Sequence, residues 1–92
     1  MTARIELVPT LEHCIETTAR QEFSRSADAY MQQGEGDRKL EQRIELLRAF
    51  LETADFKKLR RESEKHLAEG KPVRFLLYTD KGHPKYEMKV EH

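Results

Sequence analysis

The 92-residue chain has no tryptophan, one cysteine, three prolines, four glycines, no excess of either charge and no long apolar run. Each shortage removes a class of answer. Cys14 has no second thiol to pair with, so the domain is not a disulfide scaffold and a reducing compartment is expected. No stretch approaches the ~18 consecutive apolar residues of a spanning helix, and the opening MTARIELVPTLEHC has no long apolar run. A soluble, cytoplasmic protein without a membrane partner is the expectation. The 17 basic and 17 acidic side chains cancel and the isoelectric point is near 6.9, which argues against strong nucleic-acid binding.

What is present is a short, heavily charged chain, read as a single α+β domain over 1–92. A chain of this length removes only ~60–65% of its unfolded surface from water, so the core is small. Leu, Ile, Val and Phe total 20 residues, enough for a fold when no net charge opposes it. The charges are unevenly placed, with 7 basic and 11 acidic residues in 1–55 against 10 and 6 in 56–92. Complementarity within one chain or between two copies explains this division, and contact of the basic half with a polyanion is the sharper alternative.

RIELV alternates Ile5 and Leu7 against Arg4 and Glu6 and is closed by Pro9, which predicts a short strand over 4–8. Thr10 is placed to cap a helix over about 11–33, whose apolar positions Ile15, Ala19, Phe23, Ala27 and Tyr30/Met31 recur at helical spacing. Gly34 is expected to end it in a left-handed conformation, with Asp37 capping the next helix. Residues 37–69 contain no Gly or Pro, and propensity alone would draw one helix about 50 Å long at ~1.5 Å per residue. The apolar phase disagrees. Leu40, Ile44, Leu47, Leu51 and Ala54 form one seam, whereas Phe56, Leu59, Ser63 and Leu67 lie roughly 140° around the axis from it at ~100° per residue. A break near Thr53–Asp55 is therefore predicted, giving helices over 37–54 and 55–69, with Asp55 as the second cap. Leu46 and Phe50 widen the first of these, which makes it the central helix; two heptads are too few to argue a coiled-coil dimer. Gly70 and Pro72 then stop the last helix.

VRFLLYTDKGHPKYEMKV predicts a hairpin over 73–78 and 85–90, and parity selects its register. A three-residue loop would set Leu77, Phe75 and Val73 opposite Lys85, Glu87 and Lys89. An even loop sets them opposite Tyr86, Met88 and Val90, which burial favours. Leu76 and Tyr78 then lie on the outer face among Arg74, Lys85, Glu87 and Lys89, and Val8 joins them if RIELV extends the sheet. The three readings of that face are cover by the chain's own helices, a protein interface, and simple exposure.

No constellation of residues carries chemistry. His13 and Cys14 are helix neighbours about 100° apart and do not face each other, so a packed thiol is favoured over a nucleophile. The histidines lack zinc-ligand spacing, and Glu12 and Glu16 one turn apart read as a solvated face. Lys57, Arg61 and Lys65 form a stripe at i, i+4 and i+8 that could track phosphates, yet neighbouring Glu62, Glu64 and Glu69 make ordinary helix pairs worth ~0.2–0.5 kcal/mol each. No catalytic residue, metal ligand or cofactor is assigned, and an enzyme is the least supported class.

The order strand, helices, then PVRFLLYTDKGHPKYEMKV faintly resembles the RelE/ParE-type toxins of bacterial toxin–antitoxin pairs. RIELVPTLE would be the opening strand and helix start, and VRFLLY and YEMKV the sheet strands. The helical region is longer than in those toxins, the net charge is zero, and their basic or aromatic C-terminal segment is missing. The resemblance implies nucleic-acid or ribosome binding and carries over no catalytic residue.

The leading functional expectation is a small interaction or regulatory module, a homodimer being one form of it, that uses the outer hairpin face through Arg74, Leu76, Tyr78, Lys85 and Glu87. The alternative is nucleic-acid binding through Lys57, Arg61, Lys65, Lys81 and Lys85.

Overall fold

A computed structural model describes residues 4–33 and 36–91. The elements run β1 (Arg4–Leu7), α1 (Ile15–Gln33), α2 (Arg38–Thr53), α3 (Phe56–Ala68), β2 (Val73–Asp80) and β3 (His83–Val90). The fold is α+β, with three helices packed on a three-stranded antiparallel sheet in which the N-terminal strand joins the hairpin. Gly34, the expected helix-ending glycine, lies outside the described residues.

The sheet order is β1-β2-β3, which places β2 in the centre. Ile5 and Leu7 pair with Leu77 and Phe75 on one side, while Val73, Phe75 and Leu77 pair with Val90, Met88 and Tyr86 on the other. The even register is therefore the one adopted. Its loop is the two residues Lys81 and Gly82, both left-handed at φ 52° and 81°, as a turn matching the right-handed twist of its strands requires. Asp80 and His83 close this loop, so the next pair, Thr79 and Pro84, is of the type that exchanges no hydrogen bonds, and the missing proline N–H costs the ladder nothing. The strands run two residues further at the tip than the alternation alone predicts, because this turn keeps them paired to its edge.

Alternation fixes which face is dry. Ile5, Leu7, Val73, Phe75 and Leu77 are buried, and with Ile15 and Ala19 of α1, Leu46, Leu47 and Phe50 of α2 and Leu59 of α3 they form the core. Phe50 sits at its middle, edge-on to Phe56 at 5.3 Å and to Tyr86 at 5.1 Å between centroids, an arrangement that suits the ring quadrupoles. The helical region breaks where the apolar phase shifts. Ala54 and Asp55 separate α2 from α3; the Ala54 N–H is still bonded to the Phe50 carbonyl, and the Asp55 carboxylate accepts from the Lys58 N–H at 3.2 Å. Asp37 caps α2 likewise through Leu40 N–H.

The expected start of the first helix at residue 11 is corrected. Thr10 and His13 bond each other twice, Thr10 N–H to His13 O at 2.8 Å and His13 N–H to Thr10 Oγ1 at 3.0 Å. Thr10 thus caps a turn, since a hydroxyl that bonds nearby backbone offers the chain an alternative to the helix. Helical bonding begins with Cys14, whose carbonyl accepts from Thr18 N–H at 2.9 Å. Val8 lies beyond the end of β1 and is half exposed.

Candidate functional site

All three helices pack against the side of the sheet that carries Val73, Phe75 and Leu77, and the outer face keeps the other half of each strand. That face is ordered in rows. Tyr78 lies between Arg4 and Lys85, Leu76 lies between Glu6 and Glu87, and Arg74 is opposite Lys89. The rows read positive, negative, positive across the sheet. Leu76 and Tyr78 are each only partly buried, screened by the stems of these longer side chains.

Diagonal bonds join the rows. Arg74 reaches Glu6 at 3.4 Å and Glu91 at 3.2 Å, the Tyr78 hydroxyl donates to Glu87 at 3.1 Å, and Lys85 pairs with Asp80 at 3.3 Å. The hydrogen bond to Glu87, then desolvation, raises the Tyr78 phenol above its ordinary value, because both favour keeping the proton. Arg74 Nε is buried with no acceptor among the described residues. The sequence-predicted residues Arg74, Leu76, Tyr78, Lys85 and Glu87 therefore form one continuous surface, to which the structure adds Glu6 and Arg4. These two were missed because strand pairing between residues 70 apart leaves no local mark in the sequence.

The basic residues of the alternative reading do not form a single surface. Lys57, Arg61 and Lys65 are exposed along α3, on the helical side of the sheet, whereas Lys85 is on the opposite face and Lys81 is at the turn. Lys85 also has its carboxylate partner in Asp80.

Cys14 stands just ahead of α1, its Sγ 3.3 Å from Thr17 Oγ1. The Thr17 hydroxyl, and then the Thr17 backbone N–H, hold the thiol below its ordinary value, against a smaller opposing effect of burial. His13 is exposed, and among the described residues no group of three or more His, Cys, Asp or Glu side chains is placed to hold a metal ion. No helix among them is long and apolar enough to cross a membrane.

Two clefts were not anticipated from the sequence. One, of about 440 Å³, lies between α1 and α2 and is lined by Phe23, Ala27, Tyr30, Met31 and Ile44 beneath a rim of Glu41, Glu45 and Arg48. The other runs between α2 and the hairpin tip past Leu46, Phe50, Pro84 and Tyr86. A signal for the first was Met31, which continues the apolar stripe of α1 and is 81% exposed.

The chain belongs to a protein family whose model matches residues 1–91. That match runs through all six elements and therefore includes both faces of the sheet. No curated protein and no solved structure matches the chain significantly.

Proposed function

We propose that the chain is a small protein-interaction or regulatory module, without catalytic activity of its own, that takes a protein partner on the outer face of its C-terminal hairpin through Arg74, Leu76, Tyr78, Lys85 and Glu87. One observation carries this reading: the three helices occupy a single face, and the other presents Leu76 at its centre with a glutamate on either side. Such a row suits an apolar side chain flanked by basic ones. Its acidic centre opposes a phosphate backbone, which weighs against the nucleic-acid alternative. Salt links to Glu6 and Glu91 hold Arg74, and the Tyr78 hydroxyl holds Glu87, before a partner arrives, which lowers the ordering cost of association.

The test is a photo-crosslinking amino acid at position 76, with one at position 48 on the exposed side of α2 as reference. In cells that make the protein, position 76 is expected to give one adduct of defined mass that is not twice the chain's own, and position 48 none. The Leu76→Glu, Tyr78→Glu variant is expected to keep its far-ultraviolet circular dichroism and to lose the same partner. Absence of an adduct at position 76 would sink the reading.

A further inference from the structure

The sheet has two free edges of unequal length. Among the described residues β1 presents four and β3 presents eight. On β3 the main chain alternates direction, and Glu91 N–H donates to Pro72 O at 3.0 Å, so the odd-numbered residues bond toward β2 and the even-numbered ones point outward. Pro84 has no N–H to offer. Tyr86, Met88 and Val90 therefore hold the unpaired donors and acceptors of this edge.

The odd positions on the outer face carry a repeat, Lys85, Glu87, Lys89 and Glu91, with charge alternating at every second residue. If a second β3 pairs with the first in antiparallel fashion, the edge-pointing residues must face one another, so the register is centred on a residue; centring on Lys85 or Lys89 opposes that lysine to itself, which leaves three between them. Centring on Glu87 opposes Glu87 to itself and Lys85 to Lys89. Centring on Tyr86 opposes Lys85 to Glu87 but brings Pro84 opposite Met88, where one donor is missing. Centring on Met88 opposes Glu87 to Lys89 and Lys85 to Glu91, and lets Met88 bond its counterpart while Tyr86 bonds Val90 in both directions. Hydrogen-bond parity, charge complementarity and the position of the proline agree on this last register alone.

We infer that a second copy of this chain docks on the free edge of β3, in antiparallel register about Met88, to form a six-stranded sheet across a two-fold axis. The opposed Glu87 and Lys89 belong to the pairs that exchange no main-chain bonds, where Cα atoms approach to ~4.5 Å and side chains interact most closely. On the helical side the same register covers apolar surface that the monomer leaves open, since Tyr86 is 41% exposed and Met88 and Val90 are incompletely buried. The association closes on itself, because a two-fold contact uses the same edge of both copies and leaves neither β3 edge open. An edge protected by charge alone would repel in every register, whereas this one repels in some and attracts in one.

Sedimentation equilibrium tests the pairing. The wild-type chain is expected to be a dimer. Glu87→Lys and Lys89→Glu each create like-charge pairs at two symmetry-related places and are expected to raise the dimer dissociation constant about tenfold or more. An equimolar mixture of the two variants restores opposite charges at every pair, as does the double variant Glu87→Lys, Lys89→Glu, and both are expected to dimerise again. A monomeric wild type, a dimer that survives both single changes, or a mixture that stays monomeric would each overturn the inference. Glu6→Lys alters the outer face on β1, two strands from the edge, and should leave the dimer intact, so failure of the outer-face reading and failure of the edge pairing give different results.

Discussion

Cys14 shows how one side chain acquires its character from position alone. The residue lies where α1 begins, beside a hydroxyl three residues on that turns toward the sulfur, and the thiolate is favoured relative to an unfolded chain. The folded protein therefore releases the thiol proton at lower pH than the unfolded protein does. This contributes stability that is complete above the unfolded thiol pKa and is lost as pH falls through the folded one. Alkylation by iodoacetamide followed against pH is expected to show a lower midpoint for the native protein than for the same protein in denaturant, and Thr17→Val should move the native midpoint upward. An unmoved midpoint would separate the shift from the hydroxyl. The sequence indicated the helix but began it at about residue 11 rather than at Ile15. It did not indicate that Cys14 itself would be the last residue before the helix, because the mutual bonds of Thr10 and His13 compete with helix formation over a span where periodicity alone reads straight through.

Between elements, the decisive position is the two-residue break, Ala54 and Asp55, that separates α2 from α3. Residues 38 to 69 contain no Gly or Pro and are rich in helix formers, so local propensity gave little reason to stop. The apolar phase did, since one straight rod cannot point Leu47 and Leu59 into the same core, and both are buried there. The carboxylate of Asp55 makes the restart workable by satisfying the Lys58 N–H, although Lys57, Lys58, Arg60 and Arg61 crowd a helix start where positive charge is unfavourable. Asp55→Ala is expected to lower unfolding stability by about 0.5–2 kcal/mol in urea denaturation. A change within error would mean that core packing alone holds the break. The hairpin was legible for a different reason: with one face buried, parity leaves no competing register.

Across the whole molecule the helices and the sheet divide the surface unequally. The radius of gyration is 13.7 Å, above the ~12 Å expected of a compact chain of this length. Besides packing on the sheet, α1 and α2 pack on each other. There Arg43 links Glu22 and Ser26 across the two helices in place of a deeper apolar layer. The two faces of β2 give the sharpest contrast. Leu77→Ala removes a fully buried side chain and should cost about 2–5 kcal/mol, whereas Leu76→Ala should cost roughly 1 kcal/mol or less. Equal losses in thermal or urea unfolding would mean that the outer face is covered. The sequence showed that two apolar faces existed and which residues lay on each. That the helices would leave the outer face uncovered, and that Glu6 would join Glu87 in flanking Leu76, depended on contacts across nearly the whole chain that no local pattern encodes.

The pairing of β1 with β2 has a consequence for how the protein is made. Arg4 lies opposite Tyr78, so the first strand synthesised has no partner until the hairpin region has followed it. Closing so long a loop is entropically costly before its contacts form, whereas β2 and β3 meet across a two-residue turn and the helices form locally. The hairpin and helices should therefore assemble first and β1 should dock last, which makes arrival of β1 the slow step of folding. Until then one whole edge of β2 is unpaired, and this is the interval in which a newly made chain is most exposed to mispairing with its neighbours.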